Sequence, residues 1–135
     1  RRWPISQPQL SVCPYCGATG LLRQPGVSQS RIARPWLAGR VDRWTGRIGE
    51  EPKALEVRDL GFRWGSCGSS RVVNFHWATI LLPATVVDYV IVHELAHLEE
   101  ANHTPEFWQR VARSMPEYEQ RKAWLAEHGG QHVVL

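Results

Sequence analysis

A chain of 135 residues, 43% of them hydrophobic, has room for one modest domain with a real core and little more. The longest apolar run, residues 86–92, is short and carries Asp88, and nothing apolar follows the basic start Arg1-Arg2-Trp3-Pro4, so neither a membrane protein nor a secretory signal is expected. The net charge of +3 is uneven: residues 1–50 hold eight Arg against two acidic residues, whereas residues 51–135 hold eight basic and eleven acidic ones. Such an Arg-rich arm can attract nucleic acid or simply be solvated. Three cysteines, Cys13, Cys16 and Cys67, make no even disulfide framework, which points to a reduced, cytoplasmic setting.

In chain order, residues 1–33 read as an irregular basic segment, because Pro4, Pro8, Pro14, Pro25, Gly17, Gly20 and Gly26 break any period. Inside it, Cys13-Pro14-Tyr15-Cys16-Gly17 has the shape of one zinc knuckle. Cys13 and Cys16 are therefore candidates for a second, structural zinc, although four ligands are needed and no second CxxC exists. Residues 34–135 read as one folded domain. A helix is expected over 34–49, with Pro35 in its first turn, Leu37, Val41, Trp44 and Ile48 as its apolar stripe, and Gly49 as its end. Residues 54–66 and 71–77 read as strands of a small antiparallel sheet, with a bend at Asp59-Leu60-Gly61 and a loop over 65–70. Pro83 opens a broadly apolar helix expected to run to about Ala101, followed by a turn at Asn102. Thr104-Pro105 restarts a helix as N-cap and first residue, Ser114-Met115-Pro116 breaks it, and residues 117–128 form a last helix ended by Gly129-Gly130. The class is thus α+β.

The second helix holds the chemistry. His93-Glu94-Leu95-Ala96-His97 is an HExxH motif, and residues four apart lie one turn apart on one helix face, so both imidazoles can reach one ion. Glu94 follows His93 by about 100° around the axis, beside the ion rather than on it, where a general base for an activated water stands. A third ligand is needed for an open catalytic site. Glu100 is on the same face, but positions i, i+4 and i+7 of a straight helix spread over ~10 Å, too far for one ion. The ligand must come from chain that has turned back: His103, just past the turn, reaches, and Glu106, Glu119, His76 and His128 are alternatives. Tyr118, His76 and Arg63 are candidates for a second electrophile. An extended peptide would pair with a strand edge, for which Val72-Val73-Asn74-Phe75 is the candidate.

Arg63-Trp64-Gly65-Ser66-Cys67, Asn74-Phe75-His76-Trp77, Pro83, Asp88-Tyr89-Val90-Ile91-Val92-His93-Glu94-Leu95-Ala96-His97-Leu98, Asn102-His103, Phe107-Trp108 and Met115-Pro116 run in this order. Over roughly residues 35–126 the chain thereby resembles the YgjP-like metallopeptidases, small zinc proteins related to the SprT-like group. The resemblance implies a minimal zincin-like domain, one catalytic zinc on His93, His97 and His103, and Glu94 as base. The histidine spacing also equals that of metzincins, with Glu100 where they carry glycine. Beside the motif, Trp64 is expected in the core and Gly65 at a close approach to the metal helix, with Cys67 in a packed turn. The expected function is zinc-dependent hydrolysis of peptide bonds in a peptide or protein substrate. The alternative is a zinc-containing module that binds nucleic acid through the basic arm with little catalysis.

Overall fold

The structure, a computed structural model, describes residues 27–61 and 63–128. Its elements are α1 (Val27–Ile48), β1 (Ala54–Arg58), β2 (Gly65–Cys67), β3 (Val72–His76), a 3₁₀ turn (Trp77–Leu81), α2 (Ala84–Ala96), α3 (Pro105–Ser114) and α4 (Tyr118–His128). The class is α+β, as expected. Cys13, Cys16 and most of the basic arm lie outside the described residues.

α1 begins at Val27, not at Arg34, and carries Pro35 in its interior. Packing explains the extra turns. Ala33, Leu37, Val41, Thr45 and Ile48 are all buried at helical spacing, so the stripe starts before Pro35, and tertiary contact outweighs the donor that proline removes. Gly49, at φ +82°, ends the helix as expected, with its N–H on the Thr45 carbonyl.

The sheet is mixed rather than wholly antiparallel. Its order is β1–β3–β2, with β1 parallel and β2 antiparallel to β3. Gly65–Cys67, expected as loop, is the edge strand β2. The bend at residues 59–61 is present: Gly61 takes φ +67° and donates its N–H to Asp59 Oδ1 at 2.8 Å.

α2 is buried at every residue from Val86 to Ala96 and packs against α1, α3, α4 and β2. A helix apolar on nearly all sides needs that enclosure. A bidentate charged contact fixes it to α1: Arg40 donates to both Asp88 oxygens, at 2.7 and 2.9 Å. α2 stops at Ala96, five residues before the expected end, and none of residues 97–103 takes a positive φ, so Asn102 is not the turn residue foreseen. α3 starts as expected, with Thr104 Oγ1 accepting the Phe107 N–H at 3.3 Å and Pro105 as the first helical residue. Among the described residues no helix is long and apolar enough to cross a membrane.

Arg40→Ala leaves the Asp88 carboxylate, 8% exposed, without its partner. It should lower unfolding free energy in urea by about 2–4 kcal/mol, whereas Arg40→Met with Asp88→Leu should lose distinctly less.

Candidate metal centre

Because α2 is pinned on all sides, the two histidines it carries have little freedom. His93 is 1% exposed, and its Nδ1 lies 3.2 Å from the buried Tyr89 hydroxyl one turn earlier. Burial, with the Glu94 charge, pushes the Tyr89 phenol upward, so it stays protonated. His97 sits at the end of α2, and its Nδ1 lies 2.9 Å from the Glu100 carbonyl oxygen. A carbonyl only accepts, so Nδ1 carries the proton and Nε2 presents a lone pair.

The chain then reverses over residues 97–100 through short turn bonds: the N–H groups of Leu98, Glu99 and Glu100 reach the carbonyls of Leu95, Ala96 and Ala96. Arg71 holds the turn from outside by donating to the Leu98 carbonyl at 3.1 Å. The reversal brings His103 back over the end of α2. Its Nε2 lies 3.1 Å from His93 Nε2 and 3.2 Å from His97 Nε2. Ligand atoms held about 2.0–2.1 Å from one ion at tetrahedral angles are about 3.4 Å apart. Three imidazole nitrogens converging so closely fit a divalent ion, and the His97 tautomer supplies a lone pair for one. His93, His97 and His103 are the only cluster of this kind among the described residues.

His103 is exposed and belongs to no helix, so aromatic packing positions it. Trp108 stacks on it at 5.7 Å and 23°, and Phe107 meets it edge-on at 5.0 Å and 87°. Trp108 is itself stacked by Tyr118 at 5.5 Å and capped by Lys122 Nζ, 4.0 Å from the ring centroid.

Glu94 is 0% exposed, and neither carboxylate oxygen accepts a hydrogen bond among the described residues. Burial pushes its pKa well above the usual carboxylate range, and the Arg63 charge pulls the other way. Gly65 makes room for it: a Cβ there would stand 2.8 Å from Glu94 Cγ and 3.0 Å from Oε2. The close approach expected at Gly65 is therefore to the glutamate itself. Glu94 floors a cleft of about 250 Å³ lined also by Arg63, Ser66, Cys67, His97 and His103. A second hollow of about 370 Å³ adjoins it, sharing Cys67, His97 and Ala101 and extending past Arg71 and Glu99.

Other expectations divide. Val72, Val73, Asn74 and Phe75 form the central strand, paired on both sides, with Val73 and Phe75 fully buried, so they offer no edge to a substrate. The edge is β2. Since the His76 N–H bonds the Trp64 carbonyl, Trp64 and Ser66 face β3, while the backbone groups of Gly65 and Cys67 point away from it. Of the candidate electrophiles, His76 is buried against Leu60, whose N–H it accepts at 3.0 Å, Tyr118 stacks on Trp108, and only Arg63 lines the cleft. Cys67 lines it too, and burial with the Glu94 charge raises its thiol to about 11. His128 stacks on Trp124 and is not one of the clustered histidines. Sequence reading missed Tyr89, Trp108 and Lys122 as supports, although the spacing of Tyr89 four residues before His93 carried that signal.

Residues 27–128 match the model of the YgjP-like metallopeptidase domain family. No curated protein sequence matches the chain. Among solved structures, the crystal structure of the metallopeptidase zymogen of Pyrococcus abyssi abylysin aligns with a TM-score of 0.66 at 20% identity, covering 73% of this chain and 99% of that one. At that identity the likeness speaks for the fold.

Trp108→Ala should weaken divalent-ion affinity by about 10–100-fold, measured by competition with a chelating dye. His97→Ala should weaken it more than Trp108→Ala does.

Proposed function

The chain belongs to the YgjP-like metallopeptidase family, and on that premise we propose that it is a zinc-dependent peptidase with His93, His97 and His103 as ligands and Glu94 as general base. The observation that carries this reading is the convergence of three imidazole nitrogens, two of them from histidines lining the cleft, beside a buried carboxylate that accepts no hydrogen bond among the described residues. Three imidazoles suit zinc and leave a position open for water. The ion supplies the acidification of water and the polarisation of a carbonyl.

The chain's own residues do the rest. His93 and His97 keep their Nε2 atoms toward the cleft, His97 through its bond to the Glu100 carbonyl. Glu94 takes the proton of the attacking water as the new C–O bond forms, and delivers it to the leaving amine as the C–N bond breaks. A raised pKa suits a carboxylate that must both accept and return a proton near neutrality. The outward backbone groups of Gly65 and Cys67 bind an extended peptide along β2, beside the joined hollows, with affinity that depends little on sequence. The peptidase domain keeps the proposed division from a basic N-terminal segment, with its first helix reaching back to Val27, and Cys13 and Cys16 of that segment are candidate ligands of a structural zinc.

Glu94→Gln should lower kcat for casein or a fluorogenic peptide by about 10²–10⁴-fold with zinc content unchanged. Gly65→Ala should act in the same direction, since the three atoms nearest the added Cβ all belong to Glu94. Full hydrolysis by Glu94→Gln would show that the carboxylate is not the base.

A further inference from the structure

Both ends of the joined cleft carry charge, and the two ends differ. At the far end, Arg71 donates to the carbonyls of Leu98 and Glu51 at 3.1 and 3.3 Å and lies 3.6 Å from the Glu50 carboxylate. Glu99 pairs with Arg110 at 3.8 Å. Those charges are used by the fold. At the near end, Arg63 is exposed, lines the hollow floored by Glu94, and has no ion pair or side-chain hydrogen bond among the described residues. Its backbone is fixed nonetheless. The next residue, Trp64, is 3% exposed, and its carbonyl accepts from the His76 N–H at 2.9 Å and from the Thr79 hydroxyl at 2.9 Å. The segment leading into β2 therefore presents, at the rim of the cleft, a guanidinium that makes no ion pair or side-chain hydrogen bond among the described residues.

We propose that Arg63 is a specificity-determining residue that binds a substrate carboxylate next to the scissile bond. This deepens the peptidase reading above and rests on it. A guanidinium offers a planar fork of donors matched to a carboxylate, and such charge-assisted pairs are among the stronger hydrogen bonds. Glu94 feels the Arg63 charge but forms no hydrogen bond with it, since that carboxylate is buried beside Gly65, so the donors of Arg63 are left for a substrate. Exposure of Arg63 favours recognition at the rim over contact with the reacting carbonyl, which needs a desolvated donor. The carboxylate has two sources, the free C-terminus of a short peptide or an acidic side chain within a longer one.

The test uses the zinc-loaded full chain and three fluorogenic peptides that differ only after the scissile bond: Gln within an amidated peptide, Glu within the same peptide, and Gln with a free C-terminus. Wild type should favour at least one carboxylate peptide over the neutral one by about 10–100-fold in kcat/KM. Arg63→Gln should remove most of that preference, chiefly through KM, and Arg63→Lys should keep part of it. A preference for the free terminus alone identifies a terminal carboxylate as the ligand, and a preference for Glu alone identifies an internal one; either supports the proposal. No preference in wild type, or an equal loss on all three peptides through kcat, overturns it. If no peptide is cut, the peptidase reading fails, and an NMR titration of zinc-loaded protein decides on Arg63 separately. N-acetylglutamate should then bind Arg63→Gln about 10-fold more weakly than wild type, and equal binding overturns the assignment.

Discussion

A carboxylate buried without a hydrogen-bond partner is costly, and the fold holds one in Glu94. Only a strand with no side chain at the point of contact can approach it, and Gly65 is that point. Much of the architecture follows from keeping these two residues together. β2 must lie against α2, β3 must hold β2 from the other side, and the Trp64 carbonyl must be tied to both β3 and the 3₁₀ turn so that the strand cannot retreat. α2 in turn must be immobile, which is why it is wrapped by three helices and the sheet and joined to α1 through the Arg40–Asp88 pair.

The metal-binding geometry depends on a second constraint, the early end of α2. A helix continued to Ala101 would carry the chain away from the ion by about 1.5 Å per residue. Ending at Ala96 instead lets six residues reverse the chain and return His103 to its partners. No glycine is needed, because no residue of the turn takes a positive φ, and Glu100, where metzincins place glycine, contributes its carbonyl to His97. The third histidine therefore gains its position from an aromatic stack on α3 and α4 rather than from its own backbone element.

The parts legible in the sequence were those set by short spacing. HExxH on an apolar helix, the Thr104-Pro105 start, the Gly49 end and the glycine at residue 65 each need only a few neighbours to be read. The rest depends on distant partners. Residues 97–101 are respectable helix formers, and local propensity extends α2 through them. What ends it is the Arg71 guanidinium on the Leu98 carbonyl and the Glu100 carbonyl on His97. Residues 72–75 alternate as any half-buried strand does, and nothing local tells a central strand from an edge; the parallel pairing with β1 decides it. The start of α1 was hidden because Pro35 marks a helix beginning in most contexts, and only burial of Ala33 carries the helix back past it.

The central claim, a three-histidine ion site with an open position beside Glu94, is tested most directly by X-ray absorption on the Cys13→Ser/Cys16→Ser protein, which removes the proposed structural site, loaded with one equivalent of zinc. The account predicts three imidazole nitrogens at about 2.0–2.1 Å and one further oxygen, with no sulfur in the shell. A sulfur at about 2.3 Å, or a shell without three imidazoles, would contradict it.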